Sequence, residues 1–243
     1  MQLLLLSDIH GNVSALKSVL MDVKKRFSPD YAVILGDNID YGMRSNQILD
    51  IISKLETPII ANLWGNHEYA IIREDYEHFS SKRGIESAKY TRRHLSEESK
   101  KYLNSFNGQS GFFSFIIENK NYLAIHGSLD SPFWGNISPD SNLSNIDYSK
   151  YDYVISGHNH KSHYFPIFYK NDDSEYRNKK VTYFINPGSV GQPRNHICKA
   201  QYAVFDTDSG ISFNTVDYDI KYEQSLFNEE IDSFYSLRLS KGI

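Results

Sequence analysis

The chain has 243 residues, of which 40% are hydrophobic, 23% charged and 14% aromatic, a composition typical of a folded globular protein and not of a disordered one. Its formal net charge of −4 argues against broad attraction to nucleic acid or to an anionic membrane surface. The single cysteine, Cys198, cannot form an internal disulfide, and no run of about 20 apolar residues suits a membrane helix. We expect one cytoplasmic domain spanning residues 1–243.

Strands and helices alternate in the first part of the chain. The pattern predicts a strand at 3–6, a helix at 13–27, a strand at 31–35, a helix at 44–55 and a strand at 58–63. Asn12 or Ser14 is the N-cap of the first helix. Strands that alternate with helices are joined by right-handed crossovers and are parallel. The loops that follow these strands should therefore converge at one edge of the sheet.

The second part of the chain is richer in β-structure. A polar helical insertion is expected at about 69–107, and a long loop at about 128–150. The remaining predicted elements are strands at 112–117, 122–125, 153–156, 164–169, 181–185, 201–205 and 211–216, a charged tip at 171–180 and a weakly amphipathic helix at 223–237.

Acidic, amide and imidazole side chains directly follow several of these strands. They are Asp8, His10, Asp37, Asn66, His126, His158 and His160. Taken singly, Asp8 or Asp37 could be a helix N-cap and each histidine a structural residue, but their occurrence together favours metal ligation. Asp8 and His10 are two residues apart, so an extended segment would place both on one face, where they can share an ion.

The kinds of ligand restrict the metal. Oxygen and imidazole ligands without thiolates suit Mn, Fe, Zn, Co or Ni, and there are more of them than a single ion takes from a protein. We therefore expect two divalent ions, with Asp37 in the central loop as the bridge. Two ions roughly 3.5–4 Å apart can stabilise both the attacking and the leaving oxygen of a displacement at phosphorus.

The order of the motifs resembles that of the calcineurin-like metallophosphoesterase superfamily. The motifs are Asp8-x-His10, Gly36-Asp37-x-x-Asp40, Gly65-Asn66-His67-Glu68, His126-Gly127 and Gly157-His158-x-His160. The later segment Asn186-Pro187-Gly188-Ser189-Val190-Gly191 resembles the small bacterial and archaeal phosphodiesterase branch. The resemblance covers residues 2 to about 220 and implies an α/β fold, a four-layer αββα sandwich of two facing mixed β-sheets flanked by helices. The dinuclear metal site would lie at the C-terminal edge of the strands.

The same resemblance implies a role for each site residue. The first ion would be held by Asp8, His10, Asp37 and His160, and the second by Asp37, Asn66, His126 and His158. Manganese is the leading metal, with Fe, Zn, Ni or Co as alternatives. His67 would protonate the leaving group, and Asp40 would orient His67. Asn12 and Arg194 are candidate substrate-binding residues, although Arg194 could equally be a salt-bridged loop residue.

These roles predict a metallophosphoesterase that hydrolyses phosphodiester or phosphoanhydride bonds of a small soluble substrate. A dinucleoside polyphosphate, a cyclic nucleotide and a generic diester remain open as that substrate. A nuclease on the same fold is disfavoured by the net charge, and a phosphoprotein phosphatase by Tyr41, which stands where the protein phosphatases carry arginine. A non-catalytic metal-binding scaffold would be expected to lack ligands or His67, and all of them are present.

Two segments outside the metal motifs are expected to select the substrate. The helical insertion follows His67 and the long loop follows His126, so both should begin at the mouth of the site. Tyr69, Phe133 and Trp134 could stack against a nucleotide base, and Arg194 could hold a second phosphate.

Overall fold

The structure, a computed structural model, describes residues 1–143, 146–170 and 179–243. Residues 171–178 of the predicted charged tip, and two residues of the predicted loop at 128–150, lie outside the described part. The elements in chain order are β1 (Gln2–Leu6), α1 (Val13–Arg26), β2 (Tyr31–Ile34), α2 (Ser45–Ser53), β3 (Ile59–Asn62), α3 (Asn66–Arg73), α4 (Lys82–His94), α5 (Glu97–Leu103), β4 (Phe112–Ile117), β5 (Lys120–Ile125), β6 (Tyr153–Ser156), β7 (His163–Lys170), β8 (Lys179–Asn186), β9 (Ala200–Asp206), β10 (Gly210–Val216), α6 (Ile220–Ser225) and α7 (Ser233–Leu239).

The strands form two five-stranded mixed sheets. The first sheet has the order β10-β9-β1-β2-β3, and the second has the order β4-β5-β6-β8-β7. In the first sheet β1, β2 and β3 are parallel, and in the second sheet β5, β6 and β8 are parallel. The parallel strands of each sheet therefore bring their C-terminal ends to one edge, as the crossover rule predicts.

Strand β1 is buried on both faces, which explains its uninterrupted run of leucines. Leu3 and Leu5 pack into the core between the two sheets, together with residues such as Phe115 and Ile155 of the second sheet. Leu4 and Leu6 face the opposite way and pack with buried side chains of α1 and α2. The alternation of side chains along the strand thus assigns successive leucines to two different layers.

The predicted fold class, two facing mixed sheets flanked by helices, is confirmed. Helices α1 and α2 cover the outer face of the first sheet. The outer face of the second sheet is covered by buried side chains of the long loop, among them Ile137, Leu143 and Tyr148, which pack against Val154 and Phe184. Much of the long loop therefore belongs to the hydrophobic core of the protein.

The prediction of one C-terminal helix at 223–237 was wrong. Two short helices, α6 and α7, occupy this region. The side chain of Asp232 accepts a hydrogen bond from the backbone N–H of Phe234, 2.8 Å away, and so starts a new helix inside the predicted one. Short polar side chains compete for backbone groups in this way, which favours caps over helix interiors.

A search of the described residues for a helix able to cross a membrane finds none of sufficient length and apolar character.

Candidate metal centre

The predicted ligands come together at the edge where the parallel strands end. Asp8, His10, Asp37 and His160 each offer an atom to one cluster in which these atoms lie within 4.8 Å of one another. A second cluster, built to the same limit, contains Asp37, His126 and His158. All of these side chains are buried except that of His158, which is partly exposed. Asp37 is the member that the two clusters share, which is the position predicted for a bridging carboxylate.

Asn66, the first residue of α3, lies in the second cluster. Its Oδ1 is 3.0 Å from Nε2 of His126 and 3.0 Å from Nδ1 of His158. The backbone N–H of the next residue, His67, donates to Oδ1 of Asp37 at 2.9 Å. The start of α3 therefore holds both a ligand candidate and the carboxylate that the two clusters share.

Backbone carbonyls orient three of the imidazoles. Nδ1 of His10 lies 3.2 Å from the carbonyl oxygen of Ile39, Nδ1 of His126 lies 2.7 Å from that of Leu35, and Nδ1 of His160 lies 2.6 Å from that of Gln192. Since a carbonyl oxygen can only accept, each Nδ1 carries the proton in these bonds. In His10 and His160 the lone pair of Nε2 is then directed to the centre, whereas the charge of Asp37 outweighs burial and raises the pKa of His126 to about 9, so a metal ion would displace a proton from its Nε2. Hydrogen bonds of this kind orient histidines that bind metal ions.

Two further observations fit a metal ion. Oδ1 of Asp8 is fully buried and accepts no hydrogen bond, although Nε2 of His160 lies 3.2 Å away. Nε2 of His10 lies 3.3 Å from Nε2 of His160, and with both Nδ1 atoms protonated neither of the facing atoms carries a proton to donate. Buried acceptors that face one another without donors are costly, and a cation between them satisfies all of them.

The backbone at the site is left-handed, which corrects the expectation that Asp8 and His10 lie on an extended strand. Strand β1 ends at Leu6, and the positive φ angles include those of Asp8 (53°), His10 (46°), Asp37 (53°), Asp40 (73°), Tyr41 (59°), His158 (67°) and His160 (61°). Hydrogen bonds from the N–H groups of Asp8 and His10 to the carbonyls of Gly36 and Asp37 hold the first two loops together. Backbone strain of this kind clusters at functional sites.

Glu68 anchors the loop that carries Asp37. Its buried carboxylate accepts hydrogen bonds from the backbone N–H groups of Asp37, Asn38 and Gly65, at 2.7–2.8 Å. The backbone of Gly65 packs so closely against Asp37 that a Cβ at this position would lie 2.1 Å from Oδ1 of Asp37. Burial, and then the charge of Asp37, raise the pKa of Glu68. The sequence motif contains Glu68, but its anchoring role was not predicted.

His67 is connected to the insertion through Asp40. Nδ1 of His67 lies 2.7 Å from Oδ2 of Asp40, and Oδ1 of Asp40 accepts hydrogen bonds of 2.7 Å from the hydroxyls of Ser87 and Thr91 on α4. Ser87 and Thr91 were missed because hydroxyl residues in a polar helix resemble a solvated face. Their spacing of four residues, which places them on one helix face, is the signal that could have found them.

The ring nitrogens differ in their affinity for protons. Burial, aided by the charge of His126, lowers the pKa of His158 to about 3, and burial likewise lowers the pKa of His10 and of His160. These rings are neutral at pH 7 and keep a lone pair for a metal. Burial acts to lower the pKa of His67 too, but the charge of Asp37 and the bond to Asp40 outweigh it and raise that pKa.

The two candidate substrate-binding residues differ in their surroundings. The buried side chain of Asn12 accepts from the N–H of Ala15 at 3.0 Å and donates to the carbonyl of Gly191 at 2.9 Å. Asn12 is thus the N-cap of α1, with its amide occupied by protein. Arg194 makes no ion pair with any described residue, and its positive charge contributes to the lowered pKa of His160. Arg194 also lies two residues after Gln192, whose carbonyl oxygen is 2.6 Å from Nδ1 of His160, so its loop borders the centre.

Aromatic side chains surround the centre. The ring of Phe79 lies 5.1 Å from that of His67, and Trp134 lies 5.5 Å from Phe79 and 6.4 Å from His158. Tyr69 and Phe133 stack on each other at 4.5 Å. The first part of the long loop therefore reaches the site, as predicted, whereas its later part packs on the second sheet.

Similarity to known proteins agrees with this geometry. A sequence model described as the calcineurin-like phosphoesterase superfamily domain matches residues 1–210. An uncharacterized protein of Methanocaldococcus jannaschii is 31% identical over 235 residues, which cover 92% of this chain and 91% of the relative. The crystal structure of a metallophosphoesterase from Sphaerobacter thermophilus matches with a TM-score of 0.76 and 26% identity, over 100% of this chain and 99% of that one.

A hypothetical protein of Pyrococcus horikoshii shares the fold, with a TM-score of 0.78 and 20% identity over 100% of this chain and 98% of that one. The sequence match and the relatives together confirm the family and the phosphoesterase class that the motifs predicted. The chain belongs to the calcineurin-like phosphoesterase superfamily.

Proposed function

We propose that the protein hydrolyses phosphodiester or phosphoanhydride bonds of a small substrate at a dinuclear centre. The observation that carries this proposal is that Asp37 belongs to both ligand clusters, beside the pair formed by His67 and Asp40. Two bound divalent ions, with manganese as the leading candidate, would activate water and neutralise charge on the phosphoryl group. Asp8, His10 and His160 would hold one ion with Asp37, and Asn66, His126 and His158 would hold the other.

In this proposal His67 is the general acid. Its raised pKa favours the protonated form near neutral pH, and its Nε2, which lies 3.9 Å from Oδ2 of Asp37, faces the centre. Asp40 holds the opposite nitrogen and so fixes the orientation of the ring. A departing alkoxide needs a proton, and a positioned imidazole supplies it.

A nucleotide is the proposed class of substrate. The partly exposed ring of Trp134 lies beside His158, and a base can stack on such a ring with a gain of about 1–3 kcal/mol. Extended nucleic acid is less suitable because the net charge of −4 gives it no general attraction. A non-catalytic scaffold would have no use for His67 bonded to Asp40.

The test is hydrolysis by the purified protein with Mn²⁺, using bis-p-nitrophenyl phosphate and diadenosine tetraphosphate. We expect turnover of the diester, abolished by a chelator and restored by adding Mn²⁺ back. Absence of turnover of both substrates with Mn²⁺, Zn²⁺, Ni²⁺, Co²⁺ and Fe²⁺ would refute the proposed function.

A further inference from the structure

Three arginines on the α7 side of the metal centre have no acidic partner among the described residues. They are Arg83 on α4, Arg194 in the loop after β8 and Arg238 on α7. Within residues 1–143, 146–170 and 179–243, the arginines that form ion pairs with Asp or Glu are Arg26, Arg44, Arg92 and Arg93. The arginines of these ranges without such a pair are Arg73, which lies over the ring of Trp64, and the three named above, which therefore lack the counter-charge of the four paired ones.

Helix α7 brings one side of this group to the site. The ring of Tyr235 stacks on that of Tyr41 with centroids 4.2 Å apart, and Tyr41 lies 4.4 Å from His67 and 4.7 Å from His10. The neighbouring ring of Phe234 has the guanidinium of Arg83 at 4.1 Å and that of Arg238 at 5.0 Å. Arg83 and Arg238 thus lie on the ring of Phe234. The next residue, Tyr235, contacts Tyr41, which in turn contacts His67 and His10 of the centre.

Arg194 approaches from the other side. It lies two residues after Gln192, whose carbonyl oxygen is 2.6 Å from Nδ1 of His160. In agreement with this position, the positive charge of Arg194 acts to lower the pKa of His160, of Tyr41 and of Arg238. The three arginines come from distant parts of the sequence and form one positively charged cluster, the arginine cluster.

The hydrogen-bonding state of the cluster suits an anionic ligand. Nε of Arg194 is buried and has no hydrogen-bond partner among the described residues. The buried side chain of Arg238 makes one described hydrogen bond, from Nε to the carbonyl oxygen of Ile243 at 2.7 Å, which leaves its terminal nitrogens free. Burial, followed by the charge of Arg194, lowers the pKa of Arg238 to about 10. A buried donor without an acceptor is costly, and like charges without a counter-ion repel one another, so an anion bound here would be stabilised on both counts.

The metal centre cannot supply the missing negative charge. Two divalent ions and a protonated His67 would together outweigh the four carboxylates of Asp8, Asp37, Asp40 and Glu68, so the centre would not be a source of negative charge for the arginine cluster. The ring of Phe234 attracts the two guanidinium groups over its face but accepts no conventional hydrogen bond from them. An anion with several oxygens satisfies the charge and the free N–H groups together, and arginine binds phosphate oxygens in a bidentate manner.

We propose that Arg194 and Arg238, with Arg83 at the exposed rim, form a subsite for a second anionic group of the substrate. This inference rests on the proposed function and narrows the class of substrate. The preferred molecule carries a negatively charged group beyond the phosphoryl group at the metal centre, as the polyphosphate chain of a nucleotide does. A diester with a single charge occupies the metal centre and leaves the arginine cluster without a ligand.

The test is calorimetric titration of the Mn²⁺-loaded protein at a fixed concentration of free Mn²⁺. The two probes are methylphosphonate and the bis-methylene analogue of tripolyphosphate, both of which resist hydrolysis. We expect the analogue to bind more tightly than methylphosphonate, and we call the ratio of the two dissociation constants the advantage of the analogue. Arg194→Gln and Arg238→Gln should each reduce this advantage roughly tenfold. The matched control is Arg93→Gln, which alters an exposed arginine of α4 whose ion pair with Glu230 is at the surface. It should keep the full advantage.

Thermal melting of every variant is the control for correct folding. Arg238 is buried and its substitution can lower stability, but Arg194 is partly exposed, so Arg194→Gln is a test by itself. Arg194→Lys keeps the charge without the bidentate geometry and should retain part of the advantage. Equal loss of both probes, or no loss in Arg194→Gln, would overturn the inference.

The titration and the hydrolysis assay can fail independently of each other. The titration involves no turnover, whereas hydrolysis of bis-p-nitrophenyl phosphate by the unaltered protein involves no second anion. A protein that hydrolyses the diester but shows no preference for the analogue contradicts the arginine subsite alone. A protein that binds the analogue through the arginine cluster but hydrolyses neither test substrate contradicts the proposed function alone.

Discussion

Oδ2 of Asp40 lies 2.7 Å from Nδ1 of His67, and this contact joins the loop after β2 to the first turn of α3. Because Nδ1 is engaged, the imidazole presents its other nitrogen to the metal centre. Oδ1 of Asp40 is engaged as well, by the hydroxyls of Ser87 and Thr91. The orientation of the proposed general acid therefore depends on a buried chain of hydrogen bonds that ends in α4.

The substitution His67→Ala should retain both metal ions and reduce turnover according to the leaving group. An alkoxide cannot depart without a proton, whereas p-nitrophenolate can, so the loss for an alkyl ester should exceed that for a nitrophenyl ester by about a hundredfold. Metal analysis and turnover of a paired series of esters provide the measurement. His94→Ala, at an exposed position of α4, is the control, and equal losses for both leaving groups would assign His67 another role.

Removing both hydroxyls, in Ser87→Ala/Thr91→Val, should impair the same step from a distance. The buried carboxylate of Asp40 then loses two donors, at a cost of roughly 1–3 kcal/mol for each unsatisfied interaction. We expect a lower melting temperature and a partial form of the His67→Ala pattern. Ser87→Thr keeps a hydroxyl at position 87 and should behave like the unaltered protein. Ser99→Ala on α5, which changes a buried serine without a bond to Asp40, should also leave the turnover of both kinds of ester unchanged. A change in stability without any dependence on the leaving group would contradict this positioning role.

Asp37→Asn should lower the metal content below two ions per chain. The amide keeps the size and can accept the bond from the N–H of His67, but it removes the negative charge shared by the two clusters. Elemental analysis after dialysis against limiting Mn²⁺ is the measurement. The control, Asp50→Asn, changes a surface carboxylate paired with Lys54. Two ions retained at unchanged affinity would rule out Asp37 as the bridge.

Trp134→Ala should raise the Michaelis constant for diadenosine tetraphosphate roughly tenfold, which corresponds to the loss of one stacked base. Trp134→Phe keeps an aromatic face and should recover most of the affinity. The structure favours this point substitution over shortening the loop at 128–150, because Ile137, Leu143 and Tyr148 belong to the core over the second sheet. A Michaelis constant in Trp134→Ala equal to that of the unaltered protein would show that the substrate does not use this ring.

The positions of the candidate metal ligands could be predicted because they obey a local rule. A buried strand that ends in a polar loop can be recognised within about ten residues, as in the run Leu3–Leu6 before Asp8 and His10. The parallel arrangement of strands then brings such loops together without further information. The left-handed conformation of Asp8 and His10 was not predictable in the same way, since their φ angles depend on hydrogen bonds to the loop after β2.

The surroundings of the ligands were harder to predict because they depend on distant parts of the chain. Ser87 and Thr91 look like ordinary polar residues of a helix until α4 is packed over Asp40. Arg238 comes directly after the segment 223–237 that was predicted as a single helix, and its relation to Arg194 exists only after the segment after α7 has packed on the loop after β8, where the N–H of His196 donates to the carbonyl of Gly242. Tertiary packing, which periodicity does not encode, decides such contacts.

The hydrogen bond from Nδ1 of His126 to the carbonyl oxygen of Leu35 joins the residue after a strand of the second sheet to the residue after a strand of the first sheet. Asp37 follows a strand of the first sheet, while His126 and His158 follow strands of the second. Ions held by these side chains would be cross-links between the two halves of the sandwich. Because ions that bind the assembled ligands add their binding free energy to folding, catalysis and the mechanical integrity of the protein would share one set of atoms.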